Sequence, residues 1–278
     1  MNTTTTTPGS TGLGAPSTEE EALAQTLLEA LNRRTPLQVS DYAHAVADLD
    51  SVYRVQHRLT QLKGEPVAGY KVSLTSEQTQ HMFDATEPLY GAQVASRVRA
   101  APLTLHPADV MAPLVEVELN FRVLNPLGAE ATVESVFEST TVAAGLEVPD
   151  SRFADWFPDL PKELVGSDAA VGGYLVYGQE APTATAFSAP DELSEVHAVL
   201  THDGEHVREG GSSEVLGNPL NAVVWLAQAL DRHGLGGLRP GQRVSSGTFV
   251  LPPALTAGTW TASYDHGLGD VSVTLARG

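Results

Sequence analysis

Pro113-Leu-Val-Glu-Val-Glu-Leu-Asn-Phe121 alternates apolar and polar residues from Val115 onward. Strand side chains point to opposite faces in turn, so Val115, Val117, Leu119 and Phe121 share one face and Glu116, Glu118 and Asn120 the other. The segment predicts a β-strand whose apolar face lies on a core. Its two glutamates are then same-face neighbours, and like charges so close repel unless water or a cation separates them. A strand so patterned is either the solvated outer face of an antiparallel sheet or part of a site for a hard divalent cation, which takes oxygen ligands.

Outward from this segment the chain changes character. Towards the N-terminus, Ser17 to Arg34 reads as a helix: Ser17 and Glu20 have capping-box spacing, and Leu23, Leu27, Ala30 and Leu31 form a stripe. A second helical pattern runs from about Ser40 to Lys63, with a break near Asp48 to Asp50 and a stop at Gly64-Glu65-Pro66. Strands are expected over Val67–Leu74, Arg97–Leu105, Leu114–Leu124, Ala143–Val148, Gly172–Tyr177, Glu195–His202, Arg243–Val250 and Val271–Leu275. Short helices are expected over Ser76–Phe83 and Val133–Thr141. Asn218 to His233 is the clearest helix, with Asn218 as N-cap, Pro219 at the first position and Gly234 as the stop. Asp203-Gly204 is a hairpin signal. Helices first and many short strands after them indicate an α+β fold. The glycines of Gly234 to Gly241 lack the strand–loop–helix setting and spacing of a dinucleotide site.

Composition narrows the function. The 278 residues carry a formal net charge of −18, which argues against nucleic-acid partners and against docking on anionic membranes. There is no cysteine, so disulfides, thiol catalysis and thiolate zinc sites are excluded. No apolar run is long enough to span a membrane. Met1 to Pro16 is rich in Thr, Gly, Ser and Pro and lacks the basic start and apolar run of a signal peptide. It reads as a disordered tail, and the protein as cytoplasmic. An anionic substrate would need a local cation to reverse the field of so acidic a chain; a metal plus a lysine would serve.

Five segments occur in one order: Gly69-Tyr-Lys-Val-Ser-Leu-Thr-Ser76, Glu116-Val-Glu118, Leu146-Glu-Val-Pro-Asp-Ser-Arg152, Val215-Leu-Gly-Asn-Pro-Leu-Asn221 and Arg239-Pro-Gly-Gln-Arg-Val-Ser-Ser-Gly247. Together with the terminal Gly267-Leu-Gly-Asp-Val they resemble the 2-oxopent-4-enoate hydratase and 2-oxo-3-hexenedioate decarboxylase family of the fumarylacetoacetate hydrolase superfamily. Each motif is weak alone; in register they are strong. The resemblance spans roughly Ser17 to the C-terminus. It implies an α+β fold, a mixed β-sandwich or roll, with residues 17–66 a small helical region and 67–278 a β-rich catalytic domain.

The resemblance also implies a Mg²⁺ or Mn²⁺ site formed by Glu116, Glu118 and Glu147, the last a residue that spacing does not single out. A small 2-oxo or 2-hydroxydienoic acid would be the substrate, and homo-oligomers the assembly. By motif, Lys71 and Asp168 are the catalytic candidates: Lys71 binds the substrate carboxylate or pairs with a ligand glutamate, Asp168 lines the pocket, and Ser246, Gly247 and Thr248 bring small polar groups to it. Read without the motifs, Glu147 is a surface acid, Lys71 a lysine at a strand edge, Asp168 a turn residue and Ser246–Thr248 a strand bend. The chain departs from the family at Leu89, where hydratases commonly carry an aspartate, and at Asp168-Ala-Ala-Val171, where Asp-Asn-Ala-Ser is usual. An acid/base carboxylate and a hydroxyl are thereby missing, with Glu87 and His81 as replacements to be weighed. Hydratase leads, with decarboxylase of a 2-oxo dioic acid, hydrolase of an acylpyruvate and a catalytically silent keto-acid-binding relative as rivals.

Overall fold

A computed structural model describes residues 12–42 and 44–278. The expected tail lies outside these residues over 1–11; within 12–16, Leu13 packs against the core. Two helices come first, α1 (Thr18–Arg33) and α2 (Leu49–Leu62). The capping box on α1 forms as expected: Glu20 N donates to Ser17 Oγ at 3.2 Å and Ser17 N to Glu20 Oε2 at 2.8 Å. The helical pattern expected from Ser40 is only a 3₁₀ turn at Val39–Asp41. Asp48 starts α2, its side chain accepting from Ser51 N, so the break within the pattern is a helix N-cap.

The strands follow: β1 (Val67–Ser73), then the short helix α3 (Glu77–Met82), β2 (Leu89–Val94), β3 (Val98–Ala100), β4 (Leu103–Leu105) and β5 (Glu116–Val123). Helix α4 (Val133–Glu138) leads to β6 (Thr140–Val148), α5 (Lys162–Ser167), β7 (Tyr174–Pro182) and α6 (Thr183–Ala186). The hairpin β8 (His197–His202) and β9 (Glu205–Gly211) turns at Asp203 and Gly204, both at positive φ, 50° and 87°. Helix α7 (Pro219–Arg232), β10 (Arg243–Ser245), β11 (Gly258–Tyr264) and β12 (Gly269–Leu275) complete the chain. No helix among the described residues is long and apolar enough to cross a membrane.

Two sheets result. A seven-stranded one has the order β2-β1-β10-β5-β6-β7-β3 and a five-stranded one β4-β12-β11-β8-β9; β11 and β12 lean on β6 and β7. Two expected strands are corrected. Arg97–Leu105 splits at Ala101-Pro102, where proline has no N–H to give a ladder, and its halves join different sheets. Arg243–Val250 ends as strand at Ser245, because the chain turns at Gly247 with φ 119°.

The position of β10 matters most. It runs parallel to β1, with Lys71 opposite Ser245, and antiparallel to β5, with Ser245 opposite Asn120. Strand β5 pairs in turn with β6, setting Glu116 opposite Glu147. Paired residues share a face, so Lys71, Ser245, Asn120, Glu118, Glu116 and Glu147 all lie on one side of the sheet. The opposite face of β5, Val115 to Phe121, is fully buried.

Candidate metal and substrate site

The polar face of β5 is not a solvated surface. Glu118 and Asn120 are each 1% exposed and Glu147 is wholly buried, while Glu116 keeps some contact with solvent. Carboxylate oxygens of Glu116, Glu118 and Glu147 come within 4.8 Å of one another. Lys71, 1% exposed, reaches this cluster across β10: its ammonium is in ion-pair contact with Glu147 and 3.8 Å from Glu116 Oε2. The spacing of β5 supplied two of the three acids. The third comes from antiparallel register, which only the fold provides.

Electrostatics explain why such a cluster calls for positive charge. Burial pushes the Glu118 carboxyl up to about 8, helped by its neighbour Glu116 and opposed by Lys71. Burial likewise raises Glu116, and raises Glu147 well above the usual carboxylate range. Burial would pull the Lys71 ammonium down, but Glu147, Glu116 and Glu118 outweigh it and hold it above its ordinary value. One lysine cannot balance three carboxylates. Glu147 Oε2 has no hydrogen-bond partner and Oε1 meets only the ammonium. The amide nitrogen of Asn120 and the hydroxyls of Ser245 and Ser246 are also buried without partners. Buried acceptors left this way are costly unless something polar completes them. An all-oxygen set of three carboxylates facing a pocket fits Mg²⁺ or Mn²⁺.

Backbone geometry fixes the aim of Glu118. Gly247 N donates to Glu118 Oε2 at 2.9 Å. Gly247 cannot be replaced: beyond its positive φ, a Cβ there would sit 2.2 Å from the Thr75 hydroxyl oxygen. From the other sheet, the Tyr264 hydroxyl lies 2.8 Å from Glu118 O and 2.6 Å from Gly145 O and donates to that pair. Neither tie was foreseen for Tyr264, since no β11 was expected.

Glu116, Glu118 and Lys71 form the floor of a pocket whose empty space, open solvent included, is about 620 Å³, and the wholly buried Glu147 joins them through its contact with Lys71. Its walls include Phe83, Trp156, Phe157, Val165, Val171 and Leu251, none of which the sequence singled out for that purpose. Of the three residues expected to bring small polar groups, Thr248 lines the pocket, Gly247 serves Glu118, and Ser246 is buried behind them. Glu87 and His81 are exposed and do not line it. Leu89 is buried in the core, and Val171 does face the cavity.

Asp168 stands apart. Its carboxylate is buried and does not line this pocket; it accepts from Ser151 Oγ at 3.0 Å and Arg152 N at 2.9 Å, and it pairs with the Arg152 guanidinium. That guanidinium also donates to the backbone oxygens of Asp168, at 2.6 Å, and Gly172, at 2.7 Å. Between those oxygens Ala169, Ala170 and Val171 hold φ values of 54°, 52° and 51°. Three successive non-glycine residues in the left-handed region are unfavourable, most of all a β-branched valine. Arg152 grips both ends of the turn and so sets the wall at Val171.

Comparison with known proteins agrees with this architecture. The fold is of the fumarylacetoacetate hydrolase type. 4-Oxalocrotonate decarboxylase from Pseudomonas putida G7, solved with magnesium and adipate, superposes with a TM-score of 0.84 at 22% identity, covering 94% of this chain and all of that one. A 2-keto-4-pentenoate hydratase of Paraburkholderia phymatum is 31% identical over 263 residues, 92% of this chain and 97% of that protein. One from Burkholderia vietnamiensis is 32% identical over 230 residues, 82% of this chain and 85% of that protein. The chain belongs to the 2-keto-4-pentenoate hydratase family. No protein-family model matches it.

Proposed function

We propose that the protein is a metal-dependent lyase that hydrates a 2-hydroxydienoate, the enol of a 2-oxo-4-enoic acid. The observation that carries this is the convergence of Glu116, Glu118 and Glu147 beside a buried Lys71, with Glu116, Glu118 and Lys71 lining one pocket. The family supplies the reaction class. Glu116, Glu118 and Glu147 would hold Mg²⁺ or Mn²⁺. Such an ion, when bound, supplies a Lewis acid for the charge that develops on the substrate's 2-oxygen. Lys71 is the catalytic and substrate-binding side chain of the chain itself. Its ammonium, kept charged by the acids around it, offers N–H donors to the substrate carboxylate and orients it on the floor. Thr248 faces the same space, and Gly247 holds Glu118 in place through its N–H. Asp168 is assigned to the Arg152 turn rather than to a chemical step. The wall keeps bulk water from the reacting carbons.

Decarboxylation of a 2-oxo dioic acid is the second reading. Val171, which faces the cavity where a hydroxyl would assist proton transfer, favours it. Incubation with Mg²⁺ and 2-hydroxypenta-2,4-dienoate separates the two. Loss of the dienoate ultraviolet band with a product that retains every carbon and has gained one water supports hydration, whereas carbon dioxide released from a dioic substrate supports the second. We take residues 17–66 as a helical cap packed through α2 on β2 and α5, residues 67–278 as the catalytic region, and the working form as a homo-oligomer in the cytoplasm. Mass measurement in solution tests the oligomer.

A further inference from the structure

The pocket is polar at its floor and apolar at its mouth. Lys71 and Glu118 are each 1% exposed, whereas Leu251 is 43% exposed and Phe83 and Phe157 are half-buried. Trp156 closes the wall between them and donates its one N–H to Ala112 O, at 2.9 Å, so it offers nothing polar to a ligand. Among the lining residues Lys71 is the one cation, and it is already engaged by Glu147 and Glu116. The hydroxyls of Ser76, Thr79 and Thr248 are spent on local bonds. Outside, exposed Asp84 follows Phe83 in the chain, and exposed Asp155 and Asp159 bracket Trp156 and Phe157. Lys162 is the neighbouring cation, and it is bound to Asp84.

We propose that this mouth selects the substrate's tail: the protein takes 2-oxo acids with a single carboxylate and an apolar extension beyond five carbons, and rejects dioic acids. The inference rests on the floor binding a 2-oxo acid head, as argued above. A second carboxylate would leave water for a wall without a free cation. A hydrocarbon tail meets Phe83, Phe157 and Leu251 instead.

The test is calorimetric binding of saturated, unreactive 2-oxo acids to the Mg²⁺-loaded protein. 2-Oxohexanoate and 2-oxohexanedioate share a chain length and differ at the tail; 2-oxooctanoate adds two methylenes. The mono-acid should bind at least tenfold more tightly than the diacid, and each methylene should add roughly three- to fourfold. Leu251→Arg, on an exposed side chain, should narrow or reverse the first ratio while the fold stays intact. A diacid bound as tightly as the mono-acid, or a ratio unmoved by Leu251→Arg, overturns the tail assignment. Tail-ranked binding without hydration of the matching dienoate upholds the tail assignment and overturns the hydratase reading. Binding of none of the three acids overturns both.

Discussion

A single carboxylate shows how much the surroundings decide. Glu118 sits in a strand whose alternation alone is compatible with a wet surface, yet it is buried and pushed up to about 8. Without a cation, burial favours its neutral form, and Gln is close in shape to that form. Glu118→Gln should leave the thermal midpoint of the metal-free protein nearly unchanged. The same change should abolish the rise in midpoint that saturating Mg²⁺ gives the wild type, because a ligand stabilises only the state that binds it. An equal Mg²⁺ response in both would remove Glu118 from the metal set. Lys71→Met keeps most of the stem and deletes the charge. Catalytic efficiency on an authentic dienoate should fall at least tenfold, about 1.4 kcal/mol, with the split between KM and kcat reporting when the contact tightens. Near-wild-type kinetics would return Lys71 to a purely structural ion pair.

Between elements, the left-handed turn from Ala169 to Val171 is held by Arg152 rather than by its own residues. Removing the guanidinium would leave the buried Asp168 carboxylate without its charge partner, held only by Ser151 Oγ and Arg152 N, and would take a donor from the backbone oxygens of Asp150, Asp168 and Gly172. Arg152→Met should cost about 3–5 kcal/mol in urea unfolding. A loss under about 1 kcal/mol would mean that the turn stands without the clasp. The elements that the sequence made legible were those with local chemistry. Ser17 and Glu20, Asp203-Gly204 and Asn218-Pro219 each settle their own backbone within a few residues. Alternation in β5 was legible for the same reason. Helix α5 was missed because six residues after Pro161, with no side-chain cap, leave almost no pattern. β11 lacked a long enough apolar run to stand out, and Trp156, Phe83 and Leu251 meet only through tertiary packing. Glu147 was reachable through its motif alone, since nothing near it in the chain says that it will face Glu116.

Across the molecule, two ion pairs tie α2 to α1, Arg58 with Glu21 and the more buried Arg54 with Glu20, and the second makes stability depend on pH. The Arg54 guanidinium of α2 donates to both oxygens of Glu20 on α1, at 3.0 and 2.8 Å, and these bonds hold Glu20 down to about 2 from its ordinary 4.5. The lowered value means that the folded state favours the carboxylate. Its contribution is complete above about pH 4.5 and disappears as pH falls through about 2. The shift corresponds to about 2–3 kcal/mol once reduced for the water that reaches Arg54. Acid titration of stability should therefore show a loss over that window in wild type which is much smaller in Glu20→Gln, the variant being weaker at neutral pH. Parallel titration curves would rule out this pair as the source. The charge of −18 adds a general repulsion that salt screens, so the comparison belongs at fixed ionic strength.

The three residues of β10 carry a consequence for the order in which the protein matures. Lys71 and Glu116 stand on strands that are not neighbours until Arg243–Ser245 slides between them. A growing polypeptide has thus made Lys71 and all three glutamates long before it can bring the lysine beside the acids. Contacts between segments far apart in the chain form late, because the loop must close before they return any energy. In pulse-labelled refolding, amides of the β5–β6 ladder should gain protection from exchange before those shared by β1 and β10. Simultaneous protection would show that the sheet condenses in one event. If the order holds, β5 and β6 line up the three glutamates first, and only a chain whose last third has folded brings Lys71 beside them.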